Sequence, residues 1–238
     1  EANAVDEKTS GVVTATISNT DITALKGLNG NDNAYTITVG TSEVDAADLK
    51  AVDAATSVDV NAEAVTTITG DASDVLAVYA GGFSGLGNEA VVLSSAASVT
   101  EANAVDEKTS GVVTATISDT AIDDLKGLNG NDNAYTITVG TAEVDAVDLK
   151  AVNAATSLNV TASAVTKITG AATDVLDVYA GGISGLGDEA VVLSGSTSVS
   201  EANAVDVKTS GVVTATISNT DITALKGLNG NDNAYTIT

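Results

Sequence analysis

The chain of 238 residues contains no cysteine, proline, methionine, tryptophan, histidine or arginine. Without cysteine there is neither a disulfide nor a thiolate metal site. Without histidine as well, the usual general base and thiol nucleophile are both missing, so an enzyme is not expected. Nine basic residues stand against 32 acidic ones, for a net charge of −23. Phosphate binding requires a basic surface, so nucleic acid is excluded as a partner. No apolar run approaches the roughly 20 residues that cross a bilayer, so membrane insertion is not expected either. Aromatic residues are scarce, with five Tyr and one Phe. The apolar 44% is nearly all Ala, Val, Ile and Leu, small stiff side chains that suit narrow stacked layers. The lack of proline leaves every backbone N–H free to join a strand ladder.

What is present is repetition. Residues 1–38 return at 101–138 with a few changes and at 201–238 with one, Glu7 becoming Val207. Residues 1–100 match 101–200 in register at roughly four positions in five. Such identity marks a tandem array, with repeat 1 at 1–100, repeat 2 at 101–200 and a partial repeat 3 at 201–238. A longer repeating polypeptide, of which this is a stretch, is the expectation, with any export signal lying outside it.

Within one repeat, short β-branched runs alternate with Ala- and Asp-rich stretches. Strands are predicted at Gly11–Ser18, Ala34–Gly40, Ala64–Gly70 and Ala90–Ser94. Tyr35, Ile37 and Val39 alternate with Thr36 and Thr38, so one face is buried and the other polar. Asp45 reads as the N-cap of a helix, with Asp48 completing a carboxylate version of the capping box. Asp71 opens a second helix that Gly81 or Gly82 ends. Asn19-Thr20 precedes a third, short one, and a fourth spans Val99 to about Lys108. Four strand–helix coils per 100 residues average about 25 residues each, the size of a solenoid coil. The predicted fold is a repeat protein, a β/α solenoid with a parallel strand ladder and short helices. At about 4.8 Å per strand, one repeat adds on the order of 19 Å. A string of separate α+β domains is the alternative.

The pattern VDAADLKAVDAATS followed by AVTTITGDASDVLAVYAGGFSGLGNEAVVLS resembles the tandem repeats of very large secreted or cell-surface proteins of marine cyanobacteria. The resemblance spans the whole chain and implies an extracellular, array-forming structural or adhesive protein. No catalytic residues come with it.

The most site-like segment is Gly27–Tyr35, returning at 127–135 and 227–235. It is similar to the nonapeptide of calcium-binding β-rolls, with Leu28 in place of the second Gly. Asn29, Asn31 and Asp32, with Asn129, Asn131, Asp132, Asn229, Asn231 and Asp232, are candidate calcium ligands, because carboxylate and amide oxygens are hard donors. A tight turn before the strand is the competing reading. Gly85–Glu89 and Gly185–Glu189 sit at the matching turn of the other half-repeat, as a second candidate cation site or simply a turn. Asp and Glu are plentiful but change between copies, as in Asp53 to Asn153 and Glu63 to Ser163, which does not suit a tuned catalytic pair. The expected role is therefore an extracellular or cell-surface structural protein that self-associates, end to end or laterally, as a filament, surface layer or stalk. The alternative is a calcium-stiffened spacer of a large adhesin.

Overall fold

The computed structural model describes residues 1–30, 32–130, 132–230 and 232–238. It divides into two compact units, Glu1–Thr116 and Ile117–Thr238. The contact boundary thus falls inside the second sequence repeat.

The first unit runs α1 (Ala2–Asp6), β1 (Thr14–Thr16), α2 (Ile22–Leu25), β2 (Ala34–Thr36), β3 (Glu43–Asp45), α3 (Ala46–Ala54), β4 (Val60–Asn61), β5 (Thr67–Gly70), α4 (Ala72–Ala80), β6 (Phe83–Ser84), β7 (Ala90–Leu93), α5 (Val99–Asp106) and β8 (Val113–Thr116). Strands β3, β5, β7 and β8 pair in that order, all parallel. Parallel neighbours need a crossover of a dozen or more residues, usually helical, and α3, α4 and α5 supply it. The row Val44, Ile68, Val91 and Val113 is in register across the four strands and is at most 2% exposed. Successive members stand 22 to 24 residues apart, close to the coil length read from sequence. A second parallel pair, β4 with β6, lies outside that ladder, and a single bridge joins Thr38 to Asn61.

The second unit repeats the plan with α6 (Ile122–Leu125), β9 (Ala134–Thr136), β10 (Glu143–Asp145), α7 (Ala146–Ala154), β11 (Val160–Thr161), β12 (Lys167–Gly170), α8 (Ala172–Ala180), β13 (Ile183–Ser184), β14 (Ala190–Thr197), α9 (Val199–Asp206), β15 (Val213–Ile217), α10 (Ile222–Leu225) and β16 (Ala234–Ile237). Its ladder is β10, β12, β14, β15 and β16, parallel throughout, with a register shift between Val192 and Ser196 in β14. The architecture is therefore α/β, with parallel sheets and short helices repeated along the chain.

Each longer helix buries one narrow stripe at the same spacing. The stripes are Ala46, Leu49 and Val52 in α3, Ala72, Val75 and Val78 in α4, and Val99, Ala102 and Val105 in α5. Residues three apart share a helix face, and no large side chain is needed to fill so thin a layer. On the solvent side, ion pairs run from helix to helix. Lys26 Nζ meets Asp48 at 2.9 Å and Lys50 meets Asp74 at 2.5 Å. In the second unit Lys150 meets both Asp174 and Asp177, at 2.8 and 2.7 Å.

Two expected helix starts form differently. Asp45 caps α3 by accepting from the Ala47 amide at 2.9 Å, but Asp48 closes no capping box because its carboxylate is held by Lys26. Asp71 stands at the N-cap of α4 without capping it. Its carboxylate accepts from the Ser94 and Ser95 hydroxyls at 2.8 and 2.7 Å, and those bonds hold it below the usual carboxylate range. The complete capping boxes belong to α5 and α9, through Ser98 with Glu101 and Ser198 with Glu201. Strands β3, β4 and β6 were not expected. They span two or three residues, and β3 runs straight into α3 with no break in composition.

Neighbouring positions separate the two kinds of contact. Leu49→Ala opens a void in a fully buried stripe and is expected to cost about 2–5 kcal/mol. Lys50→Ala removes an exposed ion pair and is expected to cost under about 1 kcal/mol. Urea denaturation midpoints of the two variants measure the difference, and equal losses would contradict this assignment.

Candidate functional site

The two turns singled out by sequence lead into strands β2 and β7, and in both the structure draws a polar side chain inward. Residues 33, 35, 37 and 39 share one phase of the strand, and Asn33 is 2% exposed beside buried Tyr35, Ile37 and Val39. Its Nδ2 donates to Asp6 Oδ1 at 2.8 Å and to the Tyr35 hydroxyl at 2.9 Å, while its Oδ1 accepts from the Val13 amide at 2.8 Å. The third copy repeats the set, with Asn233 on Asp206, Tyr235 and Val213 at 2.5, 3.0 and 2.8 Å. In the second copy Asn133 donates to Tyr135 at 3.0 Å. Burial first, then the Asp6 carboxylate, pushes the Tyr35 hydroxyl above its ordinary value.

The described candidate calcium ligands lie on the outer side of this turn. Asn29, Asn129 and Asn229 are exposed, as are Asp32, Asp132 and Asp232. Asn31, Asn131 and Asn231 lie outside the described residues. Asp32 and Asp232 take left-handed backbone angles, φ 71° and 72°, which short polar side chains tolerate. Asn29 is positioned through its backbone, its amide donating to Asn3 Oδ1 at 2.8 Å, while Asn3 Nδ2 donates to the Gly27 carbonyl at 2.7 Å. Each turn brings one described carboxylate to the candidate ligand set. Calcium takes about six to eight oxygens, so most would come from amides, carbonyls and water. Among the described residues no group of three or more His, Cys, Asp or Glu side chains is arranged to hold a metal ion.

The second turn, Gly85–Glu89, is organised around Glu89 itself. Positions 89, 91 and 93 share the inward phase, and Glu89 is 1% exposed. The Tyr79 hydroxyl of α4 donates to Glu89 Oε1. The amides of Gly87 and Asn88 donate to Oε2 at 2.8 and 3.1 Å. Thr109, after α5, donates its hydroxyl to the Glu89 carbonyl at 2.6 Å and accepts from the Gly111 amide at 3.0 Å. A Cβ at Gly111 would stand 2.3 Å from the Glu89 carbonyl oxygen, so only glycine admits this approach. The second unit reproduces the knot with Tyr179, Glu189 (1% exposed), Thr209 and Gly211. Here the carboxylate is occupied by donors from its own unit and is turned away from solvent, a structural use that agrees with the turn, the second of the two readings offered for this segment. Sequence reasoning overlooked Asn33 and Glu89 as inward-facing groups. The available signal was their phase, two residues ahead of the first buried strand residue.

Burial, the bond to Glu89 and its charge hold the Tyr79 hydroxyl far above its ordinary value, opposed only by Thr109; Tyr179 is raised in the same way. A raised folded value means that this stabilisation is complete below the unfolded tyrosine value of about 10 and is lost as pH rises above it. Tyrosinate absorbance is therefore expected to grow together with the loss of far-UV circular dichroism in an alkaline titration. Tyrosines that all ionise near their ordinary value in a chain still folded would refute it. Glu89→Ala leaves a half-buried hydroxyl and two amides without their acceptor and is expected to cost about 3 kcal/mol, read from the thermal or urea transition.

No family model, curated protein or solved structure matches this chain.

Proposed function

We propose that the chain is a structural protein whose coils stack as a β/α solenoid into an extracellular filament, surface layer or stalk. The observation that carries this reading is what happens to equivalent apolar residues with and without a neighbouring coil. Val5 of α1 is 54% exposed, whereas Val105 of α5, with α4 packed beside it, is fully buried. Ile222 of α10 is 66% exposed, whereas Ile122 of α6, beside α7, is 7% exposed. Each coil thus carries an apolar stripe that the adjacent coil covers, and repetition extends the covered interior without any new kind of contact. The net charge of −23 opposes indiscriminate collapse and favours assembly through the edges of the ladder.

A role without catalysis agrees with the distribution of polar groups. The buried carboxylates and tyrosines recur with the array and spend their hydrogen bonds on holding turns. Among the described residues, no helix is long and apolar enough to cross a membrane.

Electron microscopy of the purified chain, in calcium and after chelation, tests the proposal. Uniform filaments under both conditions are expected. Separate particles at high protein concentration would overturn self-assembly. Assemblies that soften or disperse only on chelation would support the calcium-stiffened spacer of an adhesin instead.

A further inference from the structure

Three asparagines in this chain are followed by glycine: Asn29, Asn129 and Asn229. We infer that these three are sites of spontaneous covalent self-modification, in which the array converts the Asn side chain to a carboxylate once per repeat. The chemistry needs an accessible side-chain amide and an unhindered backbone nitrogen immediately after it. All three asparagines are exposed and lie outside helices and strands. Glycine, lacking a Cβ, offers the least hindered nitrogen.

The fold itself dictates the glycine of this dipeptide in the first repeat. Gly30 holds φ 123°, and a Cβ there would lie 2.0 Å from Asn33 Nδ2. That amide is the buried group tied to Asp6 and Tyr35. A larger residue at position 30 would displace the turn that seats Asn33, so the structural requirement keeps a glycine directly after an exposed asparagine. Stability of the turn and chemical lability of its asparagine have the same cause.

The step is balanced with water as the co-reactant. The Gly30 nitrogen attacks Asn29 Cγ, a C–N bond forms, and the side-chain nitrogen leaves as ammonia, giving a cyclic imide. Water then opens one of the two imide carbonyls. Opening at one yields aspartate; opening at the other yields isoaspartate, with the main chain rerouted through the former side chain. Either product carries a new negative charge. The isoaspartate adds a methylene to the backbone between Asn29, whose amide is clamped by Asn3, and Asn33. The strand entry then loses its register with the buried polar cluster. Modification would thereby mark the age of each repeat, in charge and in local order.

The test holds the folded full chain in warm, mildly alkaline buffer and maps its peptides by mass spectrometry. Isoaspartate is read by methyl transfer from S-adenosylmethionine, catalysed by a protein isoaspartate methyltransferase. Mass gain and methyl incorporation are expected in the peptides of the three turns, with fragmentation placing the change at Asn29, Asn129 and Asn229 and not at Asn33, while the peptides carrying Asn3, Asn61 and Asn88 stay unchanged. The combined N29Q, N129Q and N229Q variant is expected to lose the signal, because glutamine must close a larger, slower ring. Intact asparagines at all three positions in the folded chain, with modification of the urea-unfolded chain under the same conditions, would overturn the inference. Equal modification of the other exposed asparagines would overturn it as well.

Discussion

In each compact unit the inward strand row, Val44 with Ile68, Val91 and Val113 in the first, can stay dry only if every member has a neighbour at strand spacing on the ladder. Within 22 to 24 residues the chain then has to leave the strand, pack a helix over the row and return in register. Much of the rest follows from that constraint. The helices are short because the return path is short. Their buried stripes use Ala, Val and Leu because the layer between helix and strand is thin. The solvent-side ion pairs join one crossover helix to the next and add alignment more than stability.

A thin core of small residues has little apolar area per coil, and polar groups contribute where the chain turns into a strand. Asn33 and Glu89 occupy equivalent inward positions in the two half-repeats, one as an amide bonded to a tyrosine and a carboxylate, the other as a carboxylate bonded to a tyrosine and two amides. Such a knot is worth most when every member is satisfied. No buried side-chain nitrogen or oxygen among the described residues lacks a hydrogen-bond partner. Geometry of this kind ties a turn to the helix behind it and to the next coil at once, which a purely apolar contact does without direction.

Differences between the two full copies follow the same logic. Tyr79, Glu89, Thr109 and Gly111 are repeated without change as Tyr179, Glu189, Thr209 and Gly211. Asp53, Asp59 and Glu63 become Asn153, Asn159 and Ser163. The Asp53 carboxylate accepts from the Gly82 amide at 3.1 Å, a bond that an amide oxygen at Asn153 can equally accept, so the oxygen matters there and the charge does not. Asp177, in place of Ala77, gives Lys150 a second carboxylate on the solvent side.

Periodicity carried most of the architecture in the sequence itself. The 100-residue repeat, the alternation at Tyr35, Ile37 and Val39, the cap at Asp45 and the coil length are local properties of the chain, and local properties are written in residue order. Strands β3, β4 and β6 were not legible, because two or three residues become a strand only when a partner some 23 residues away lies beside them. The use of Asp48, Asp71 and Glu89 was equally hidden. Each is a carboxylate suited to a cap or a cation, and what claimed it was a lysine, a pair of serines or a tyrosine brought close by the crossover. Sequence determined the repeat, its coil length and its acidic, cysteine-free chemistry; tertiary structure decided which polar groups were consumed in holding it, since a hydrogen bond depends on what folding places within about 3 Å.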